Sequence, residues 1–354
     1  MSHFALRPVA SQFLFADDDE VEDAGMHQAA KERPWLRRYS KLVCLATFCL
    51  LFMGALVTSN QAGLAVPDWP TSYGHNMFTF PISMWQGNIF YEHVHRLIAS
   101  GVGLLTLILA AWLFAVERRR WVRRLGYLAL LMVIIQGVLG GVTVLMQLPD
   151  LVSSAHGVLG QTFFVVTIAL AYSQSREFSK GFGVKHSIAA TDLLRPALAC
   201  FLLVYIQLIV GAVMRHSDSG LAIPDFPTMG GYFVPTFSDE MLQSVNDMRA
   251  ELDLAAVSLT QVGLHLAHRF AGVMVLFGVV LFFVKALVTD IQLSAITRVS
   301  FFALLVVCMQ FFLGVATVLS EKNAWITSLH VIGGALLLGS LTLLSLRLFR
   351  ASRP

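Results

Sequence analysis

Charged residues are scarce in this chain of 354 residues. Only 13% of them are Asp, Glu, Lys or Arg, whereas 56% are hydrophobic. An ordinary soluble domain carries about 25% charged residues. The shortage excludes a wholly soluble fold, because long stretches of the chain would have no side chains suited to water.

Cysteine is also scarce, and the features of a signal peptide are missing. The four cysteines are Cys44, Cys49, Cys200 and Cys308. All four lie in long apolar segments, which excludes an extracellular disulfide framework and a cysteine-based zinc site. The N-terminus has no apolar signal core and carries an acidic run at residues 17–20. We therefore predict that residues 1–40 form a polar, disordered cytoplasmic tail.

Apolar segments long enough to cross a bilayer recur along the chain. About 20 helical residues span a hydrocarbon core of ~30 Å. The segments that meet this length are residues 41–59, 89–116, 121–146, 151–173, 196–214, 260–288, 298–319 and 325–348. The sequence therefore predicts an all-α, polytopic membrane protein with eight transmembrane helices.

Basic residues occupy alternate connections between these segments. They are Arg37, Arg38 and Lys41; Arg118, Arg119, Arg120, Arg123 and Arg124; Arg176, Lys180, Lys185 and Arg195; Lys285 and Arg298; and Arg347, Arg350 and Arg353. Residues 60–88, by contrast, contain no Lys or Arg. The positive-inside rule then predicts that both termini are cytoplasmic, in a cell membrane of the bacterial inner-membrane type. The basic residues anchor these loops and do not indicate a nucleic-acid partner.

The chain repeats itself. Residues 54–69 read GALVTSNQAGLAVPDW, and residues 211–226 read GAVMRHSDSGLAIPDF. Three further motifs recur in the same order: EHVHR and HLAHR (92–96 and 265–269), QGVLG and QFFLG (136–140 and 310–314), and SAHGV and SLHVI (154–158 and 328–332). The offset between the copies grows by about sixteen residues before the second histidine motif, which indicates one insertion.

Each copy contains four predicted spans. We predict two four-helix bundles, residues 41–173 and 196–348, with a cytoplasmic linker at residues 174–195 and a cytoplasmic tail at residues 349–354. Because each copy has an even number of spans, the copies run in parallel. They are then related by a pseudo-two-fold axis along the membrane normal.

Each copy keeps two histidines inside its spans, close to their predicted outer ends. These are His95 and His156 in the first half, and His268 and His330 in the second. A single histidine in a span is explained well enough by one polar partner, but four at repeat-related positions indicate ligands. Two histidines facing each other across a bundle are typical of a haem site. A zinc or copper site requires a closer cluster of three or four ligands.

Charged residues accompany these histidines. Arg96 and Arg269 directly follow His95 and His268, and can either bind haem propionates or anchor the helices at the membrane interface. Glu92 lies three residues before His95, on the same helical face. It is a candidate proton acceptor, or a group that orients an oxidised substrate carbon, and the alternative is a structural partner of Arg96 or His93.

The second copy has His265 where the first has Glu92. The difference suggests that one copy is a cofactor site and that the other is specialised for chemistry.

In the predicted outer loops, Asp68, Trp69 and Asp225 are either lids over the sites or turn residues beside prolines. The acidic insertion within residues 227–258 is predicted to form a solvated amphipathic helix without an assigned role.

These motifs together resemble the heme A synthase family. The resemblance rests on the E-x-x-H-R motif at residues 92–96, the later histidines, and the loop segments SNQAGLAVPDWP and SDSGLAIPDFP, and it covers about residues 40–350. It implies oxidation of the C8 methyl of haem O to the formyl of haem A by successive hydroxylations and loss of water. It also implies bound haem b on His268 and His330, and haem O or haem A on His95 and His156. Glu92 matches the acidic residue that the conversion requires.

The resemblance also implies partners, and the chain lacks one feature that some members of the family have. The haem O synthase (a farnesyltransferase) and the assembly of a terminal oxidase are expected partners, while the electron donor and a possible homo-oligomer stay open. Some members carry a cysteine pair in the first outer loop, which residues 60–88 lack. Two other classes remain as alternatives: a di-haem cytochrome b that carries electrons, and a haem delivery or transport protein.

Overall fold

The computed structural model describes residues 33–181, 188–289 and 294–353. Most of the predicted N-terminal tail lies outside these ranges. Within them the chain folds into helices α1 (Pro34–Ser59), α2 (Asn88–Val116), α3 (Arg120–Leu145), α4 (Asp150–Ser173), α5 (Arg176–Lys180), α6 (Ile188–His216), α7 (Asp239–Glu251), α8 (Leu259–Val288), α9 (Ser294–Leu319) and α10 (Ala324–Ala351). The connection between α1 and α2 adds two short 3₁₀ turns, Met77–Thr79 and Ile82–Met84.

Eight of these helices are long and apolar enough to cross a membrane, namely all except α5 and α7. The prediction of an all-α protein with eight spans is confirmed. Three spans begin at least four residues earlier than predicted: α1 at Pro34, α9 at Ser294, and α6 at Ile188, which continues through Pro196. The apolar run shows only the part of a helix that faces hydrocarbon, whereas these helices extend beyond it through polar and basic turns.

The spans form two rings of four. In the first ring α1 contacts α2, α2 contacts α3, α3 contacts α4, and α4 returns to α1. The second ring repeats this order with α6, α8, α9 and α10. The histidine-bearing helices, α2 and α4 or α8 and α10, lie diagonally opposite each other in their rings. This arrangement fits the predicted pair of repeated bundles.

The two rings meet along α1 and α4 on one side and α6 and α10 on the other. Helix α10 packs against both α1 and α4 as well as its own ring, and two-thirds (67%) of its most apolar window is buried, against 17–39% in the other spans. Phe164, Ile332 and Ala335 form a buried apolar cluster at this seam. Helix α10 is therefore the central helix of the molecule.

Polar contacts also join the rings near the ends of α1 and α6. Arg215 Nη2 donates to Ser59 Oγ at 2.8 Å and to Ala55 O at 3.3 Å, and Ser328 Oγ donates to Ser59 Oγ at 2.9 Å. At the other end of the bundles Arg347 forms an ion pair with Glu177 of α5 at 2.7 Å. The seam between the two halves is thus fastened at both ends.

Candidate functional site

The loop that follows α1 is tied to α2 by one arginine. Arg96 Nη1 donates to Asp68 O at 2.7 Å and to Thr71 O at 3.0 Å, and Nη2 donates to Val66 O at 2.7 Å. The second Nη2 hydrogen binds Glu92 Oε1 at 2.5 Å. All four terminal N–H groups of a nearly fully buried guanidinium are therefore occupied.

The second half repeats these contacts at equivalent loop carbonyls. Arg269 Nη2 donates to Ile223 O and Asp225 O, both at 2.9 Å, and Nη1 donates to Thr228 O at 3.2 Å. These acceptors are the repeat equivalents of those that Arg96 uses. Both arginines hold carbonyls of the loop that precedes their own helix, so the predicted contact with haem propionates would need the loop to release them first.

Asp68 and Asp225 fold the two loops. Asp68 accepts from Tyr73 N at 2.7 Å and Gly74 N at 2.8 Å, and Asp225 accepts from Gly230 N at 2.8 Å and Gly231 N at 2.9 Å. Burial alone would raise the pKa of each carboxyl, but these hydrogen bonds and those from nearby threonines outweigh it and hold the pKa below its usual value. These contacts are those of turn residues, which was one of the two roles predicted for Asp68 and Asp225; the other was that of a lid.

Glu92 and His265 perform the same structural task in their halves. Glu92 Oε2 accepts from Val66 N at 2.7 Å, and His265 Nδ1 lies 3.1 Å from Ile223 N. His265 Nε2 also faces Arg269 Nε at 3.2 Å. A neutral imidazole accepts through one nitrogen only, so it satisfies one of these donors, whereas a carboxylate satisfies both.

Each of the four predicted ligand histidines packs against a glycine of the neighbouring helix. A Cβ added to these glycines would lie 3.0–3.3 Å from the imidazole Cε1. The pairs are Gly54 with His95, Gly140 with His156, Gly211 with His268, and Gly314 with His330. Any other residue would push the imidazole away from the helix that carries the glycine. The glycines therefore set how closely each imidazole approaches the neighbouring helix.

The arrangement of the histidines fits a haem held from both sides. All four rings are half-buried, and the Nδ1 atoms of His95, His156 and His330 are buried without a hydrogen-bond partner. The ring centroids of His268 and His330 lie 6.3 Å apart. Two metal–imidazole bonds of about 2.0 Å would place the two ligating nitrogens about 4 Å apart. Because each ring centroid lies one ring radius behind its nitrogen, the centroid distance between His268 and His330 agrees with this spacing. The described residues contain no cluster of three or more His, Cys, Asp or Glu side chains that could hold a metal ion.

Trp69 reaches from the first loop onto α3. Its ring packs directly on α3 at Gly141, where an added Cβ would lie 2.5 Å from the indole. Gly141 is the neighbour of Gly140, which contacts His156. In the second half the repeat has Phe226 and Val315 at these two positions, and Phe226 instead packs on Phe311 with centroids 6.4 Å apart.

His93 supports the loop and lies outside the ligand pair, as its sequence position predicts. Its ring is fully buried between Phe80 and Trp85, with a centroid distance of 4.8 Å to each. Nδ1 shares a hydrogen bond of 3.3 Å with Ser72 Oγ. Trp85 and Phe80 thus pack the first loop onto α2.

The acidic insertion forms α7, an amphipathic helix as predicted, but it is not simply solvated. Met241 and Val245 are fully buried against the second loop, and Ser244 Oγ donates to Gly230 O at 2.9 Å. Arg249 donates from Nη1 to Leu221 O and from Nε to Ala255 O. The helix therefore covers the second loop.

Three glutamines near the histidines were not assigned by the sequence. Gln136, Gln207 and Gln310 each donate to the main-chain carbonyl of a ligand histidine on the adjacent helix. The signal was present, since Gln136 and Gln310 open the repeated motifs QGVLG and QFFLG.

The fold and the site define a class: a multi-pass membrane protein with a facing pair of histidines in each of two related bundles. The sequence profile of the COX15-CtaA family, described as cytochrome oxidase assembly protein, matches residues 37–342. The chain belongs to this family.

Curated relatives cover most of the chain. A protein named "Heme A synthase" from Shewanella oneidensis is 27% identical over 339 residues, which are 89% of this chain and 96% of the relative. Proteins of the same name from Alkalihalophilus pseudofirmus and Halalkalibacterium halodurans are 24% and 23% identical, covering 90% and 84% of this chain and 98% and 91% of their own. The resemblance stated from the sequence is confirmed at the level of the family.

Proposed function

We propose that this protein is a haem A synthase, which oxidises the C8 methyl of haem O to the formyl of haem A by successive hydroxylations and loss of water. The observation that carries the proposal is the asymmetry between two otherwise equivalent histidine sites. One site has a buried carboxylate beside it and the other has an imidazole. Family membership and the names of the curated relatives support the same reaction.

The second half holds haem b between His268 and His330. When bound there, haem b supplies one-electron transfer to the reaction. The chain's own part is to present two imidazoles across the bundle diagonal and to keep the loop closed through Arg269. The glycines at positions 211 and 314 let both rings lie flush against the neighbouring helices.

The first half binds the substrate haem between His95 and His156, with Glu92 as its reactive carboxylate. Arg96 holds one oxygen of Glu92, and the Val66 N–H holds the other, so the carboxylate has a fixed orientation. Each carboxylate oxygen has two acceptor positions, so both can still accept a proton. Glu92 then takes up a proton released during oxidation of the substrate carbon.

The outer loops exclude water from the two sites. Asp68 and Asp225 fold the loops, Trp69 presses on α3, and the arginines lock the loop carbonyls to α2 and α8. Opening of a loop would free Arg96 or Arg269 to bind a propionate. Closure by the loop residues that were predicted to act as lids, and propionate binding by the arginines, would then be successive states of the same site.

The protein lies in the bacterial cell membrane with both termini in the cytoplasm and the histidines near the outer face. Its substrate carries a farnesyl chain, which partitions into the bilayer at about 0.8 kcal/mol per buried CH₂. The haem O synthase supplies the substrate and a terminal oxidase consumes the product. Conversion of a methyl to a formyl is a four-electron oxidation, so the reaction also requires an external oxidant, which for hydroxylation is molecular oxygen together with an electron donor.

The test is extraction and chromatography of the haems from purified protein, expressed with and without a source of haem O. Haem b together with haem O or haem A is the expected result. Haem b alone, even with haem O supplied, would instead indicate an electron-carrying cytochrome. Haem that is bound only weakly and unchanged at both sites would indicate a delivery or transport protein.

A further inference from the structure

Three of the four ligand histidines are fixed by a glutamine from the next helix. The three bonds run from Gln136 Nε2 to His156 O (3.0 Å), from Gln207 Nε2 to His268 O (3.0 Å) and from Gln310 Nε2 to His330 O (2.8 Å). Each amide thus adds a second hydrogen bond to a carbonyl that already accepts one within its own helix. The bond ties the main chain of the ligand residue to the neighbouring helix.

A glycine makes room for each of these amides. The helical carbonyl of residue i points toward residue i+4, so a side chain there crowds any second donor. The residues four positions after the three histidines are Gly160, Gly272 and Gly334. A Cβ added to Gly160 would lie 3.0 Å from the amide nitrogen of Gln136 and would crowd it, whereas one added to Gly272 or Gly334 would lie 3.4 Å from the amide nitrogen of Gln207 or Gln310, in ordinary van der Waals contact. We call each set a glutamine–histidine–glycine clamp.

The fourth histidine has no such clamp. Alignment of the repeats places Leu50 opposite Gln207 and Ala99 opposite Gly272. Leu50 packs into the apolar core of the first bundle, and no side chain of the described residues donates to the carbonyl of His95. Both components of the clamp are therefore replaced together at His95.

The missing clamp lies in the half that must exchange its haem if the proposed function is right. A metal ligand holds its metal more firmly when other groups fix its orientation. Both ligands of the second half are clamped, whereas the first half has a clamp only at His156. The outer loops do not explain the difference, because Arg96 and Arg269 hold them in the same way.

We propose that His95 is the exchangeable ligand of this protein. The bond of the first-half haem to His95 breaks first, while His156 still holds the haem, and the bond to His156 breaks when the haem leaves; entry follows the reverse order. The haem of the second half is retained because glutamines hold both of its ligands. Gln136, Gln207 and Gln310 are positioning residues in this scheme, and Gln207 Nε2 also lies 3.2 Å from Nδ1 and 3.3 Å from Nε2 of the His268 ring. The inference rests on the proposed function, in which only the first half exchanges haem.

Transfer of haem from the full-length purified protein to excess apomyoglobin tests the inference. The haem that remains is extracted at intervals and identified. We expect two phases, with the first-half haem released faster. The double variant Leu50→Gln/Ala99→Gly should slow the fast phase roughly fivefold, the effect of one ordinary hydrogen bond. The reverse variant Gln207→Leu/Gly272→Ala should accelerate the slow phase by a similar factor.

A spectroscopic readout separates ligand positioning from general loosening of the bundle. The low-spin electron paramagnetic resonance signal of each oxidised haem depends on the orientation of its two imidazoles. Leu50→Gln/Ala99→Gly should shift only the first-half signal, and Gln207→Leu/Gly272→Ala only the second. The single variant Ala99→Gly is the matched control, because it opens space without adding a donor, and its release rate should stay within twofold of the wild type.

Equal release rates for the two haems, or an unchanged fast phase in Leu50→Gln/Ala99→Gly, would overturn the inference. If Gln207→Leu/Gly272→Ala does not fold, the first variant decides the question alone. Purified protein that contains haem b and neither haem O nor haem A would contradict the proposed function. In that case two release phases from two haem b sites, one of them slowed by Leu50→Gln/Ala99→Gly, would still support the role of His95.

Discussion

The two halves of the molecule use the same scaffold but surround their histidines differently. In both, an arginine on the second helix binds three carbonyls of the preceding loop, and an aspartate folds that loop. In both, two glycines lie against the imidazoles and set their distance from the neighbouring helix. The halves differ at Glu92 and His265, at Leu50 and Gln207, and in the aromatic residue of the loop. The shared contacts maintain the geometry of each site, and the residues that differ are the ones expected to determine its function.

The differences between the halves are also consistent with one another. The first half has the group suited to accept protons and lacks one ligand clamp, as expected of a site that reacts and exchanges its occupant. The second half has an imidazole in place of the carboxylate and two clamps, as expected of a site that keeps its cofactor. Experiments that exchange these features between the halves can therefore break or sharpen the comparison.

The largest effect is expected from removal of a second-half ligand. His268→Ala or His330→Ala should abolish the low-spin haem b spectrum, because one remaining imidazole cannot hold the iron from both sides. The measurement is the reduced-minus-oxidised spectrum together with the haem content per protein. His75→Ala, at an exposed loop histidine, is the control and should leave both unchanged. A normal haem b spectrum in both ligand variants would make the ligand assignment wrong.

The next largest effect is expected from replacing the carboxylate of Glu92. Glu92→His places in the first half the residue that the second half has at this position, so the loop should stay bound. Conversion of haem O should fall by about 10²–10⁴, the usual contribution of a positioned proton acceptor, while haem b is retained. The products are measured by haem extraction and chromatography.

The control for Glu92→His is the reverse change in the other half. His265→Glu adds a carboxylate that can accept from both Ile223 N and Arg269, so the second loop should stay bound or bind more firmly. Conversion should stay within a few-fold of the wild type. Accumulation of haem A at the normal level in Glu92→His would show that Glu92 has only a structural role.

A smaller effect is expected where the loop meets the first bundle. Gly141→Val introduces the residue of the second half against the Trp69 ring, and the overpacking should cost about 1–3 kcal/mol of unfolding free energy. Adding Trp69→Phe, again the second-half residue type, should restore much of the loss. Thermal unfolding in detergent measures both. Gly137→Val, at a position where a Cβ meets nothing within 4 Å, should be nearly neutral, and equal losses in the two valine variants would rule out the proposed contact.

The smallest effect is the acid sensitivity that the two loops share. The lowered pKa values of Asp68 and Asp225 mean that the folded loops favour the ionised carboxyls. Their stabilisation is fully present above the unfolded pKa of about 3.9 and is lost as the pH falls through the lower folded values. Hydrogen exchange of the loop amides should therefore be constant from pH 7 to about 4, after correction for the intrinsic rate, and should increase below that pH.

Asparagine variants provide the reference for this experiment. Asp68→Asn and Asp225→Asn remove the charge at every pH, so each should lower the protection of its own loop at pH 7 and make it nearly independent of pH. The other loop should behave as in the wild type. Protection that falls well above pH 5 in the wild type would point to other titrating groups.

The fold could be predicted almost completely from the sequence, because the length of an apolar run directly reports a span. The ends of α1 and α6 could not, since turns beyond the hydrocarbon have no apolar signature. The four histidines were predicted from their repetition, and the structure brings each pair to one bundle. The loop contacts of Arg96 were not predicted, because main-chain carbonyls leave no pattern in the sequence.

The glutamines show a different limit. Gln136 and Gln310 were visible as repeated residues, but their task depends on the carbonyl of a residue about twenty positions away and on a glycine that gives access to it. Leu50 was even less visible, because an apolar residue in a span is ordinary. Only the alignment of the repeats on the observed contacts shows that a clamp is missing there.

The position of α10 has a consequence for how the protein is made. The ribosome makes α10 after α1, α4, α6 and α9, and α10 contacts all four of these helices. Until it is inserted, the second ring is open and the groove between the halves faces lipid, including polar groups such as Ser59 and Arg215. Membrane insertion of α10 and completion of the second-half site are therefore one event, and a nascent chain that stops before α10 has no complete second-half site.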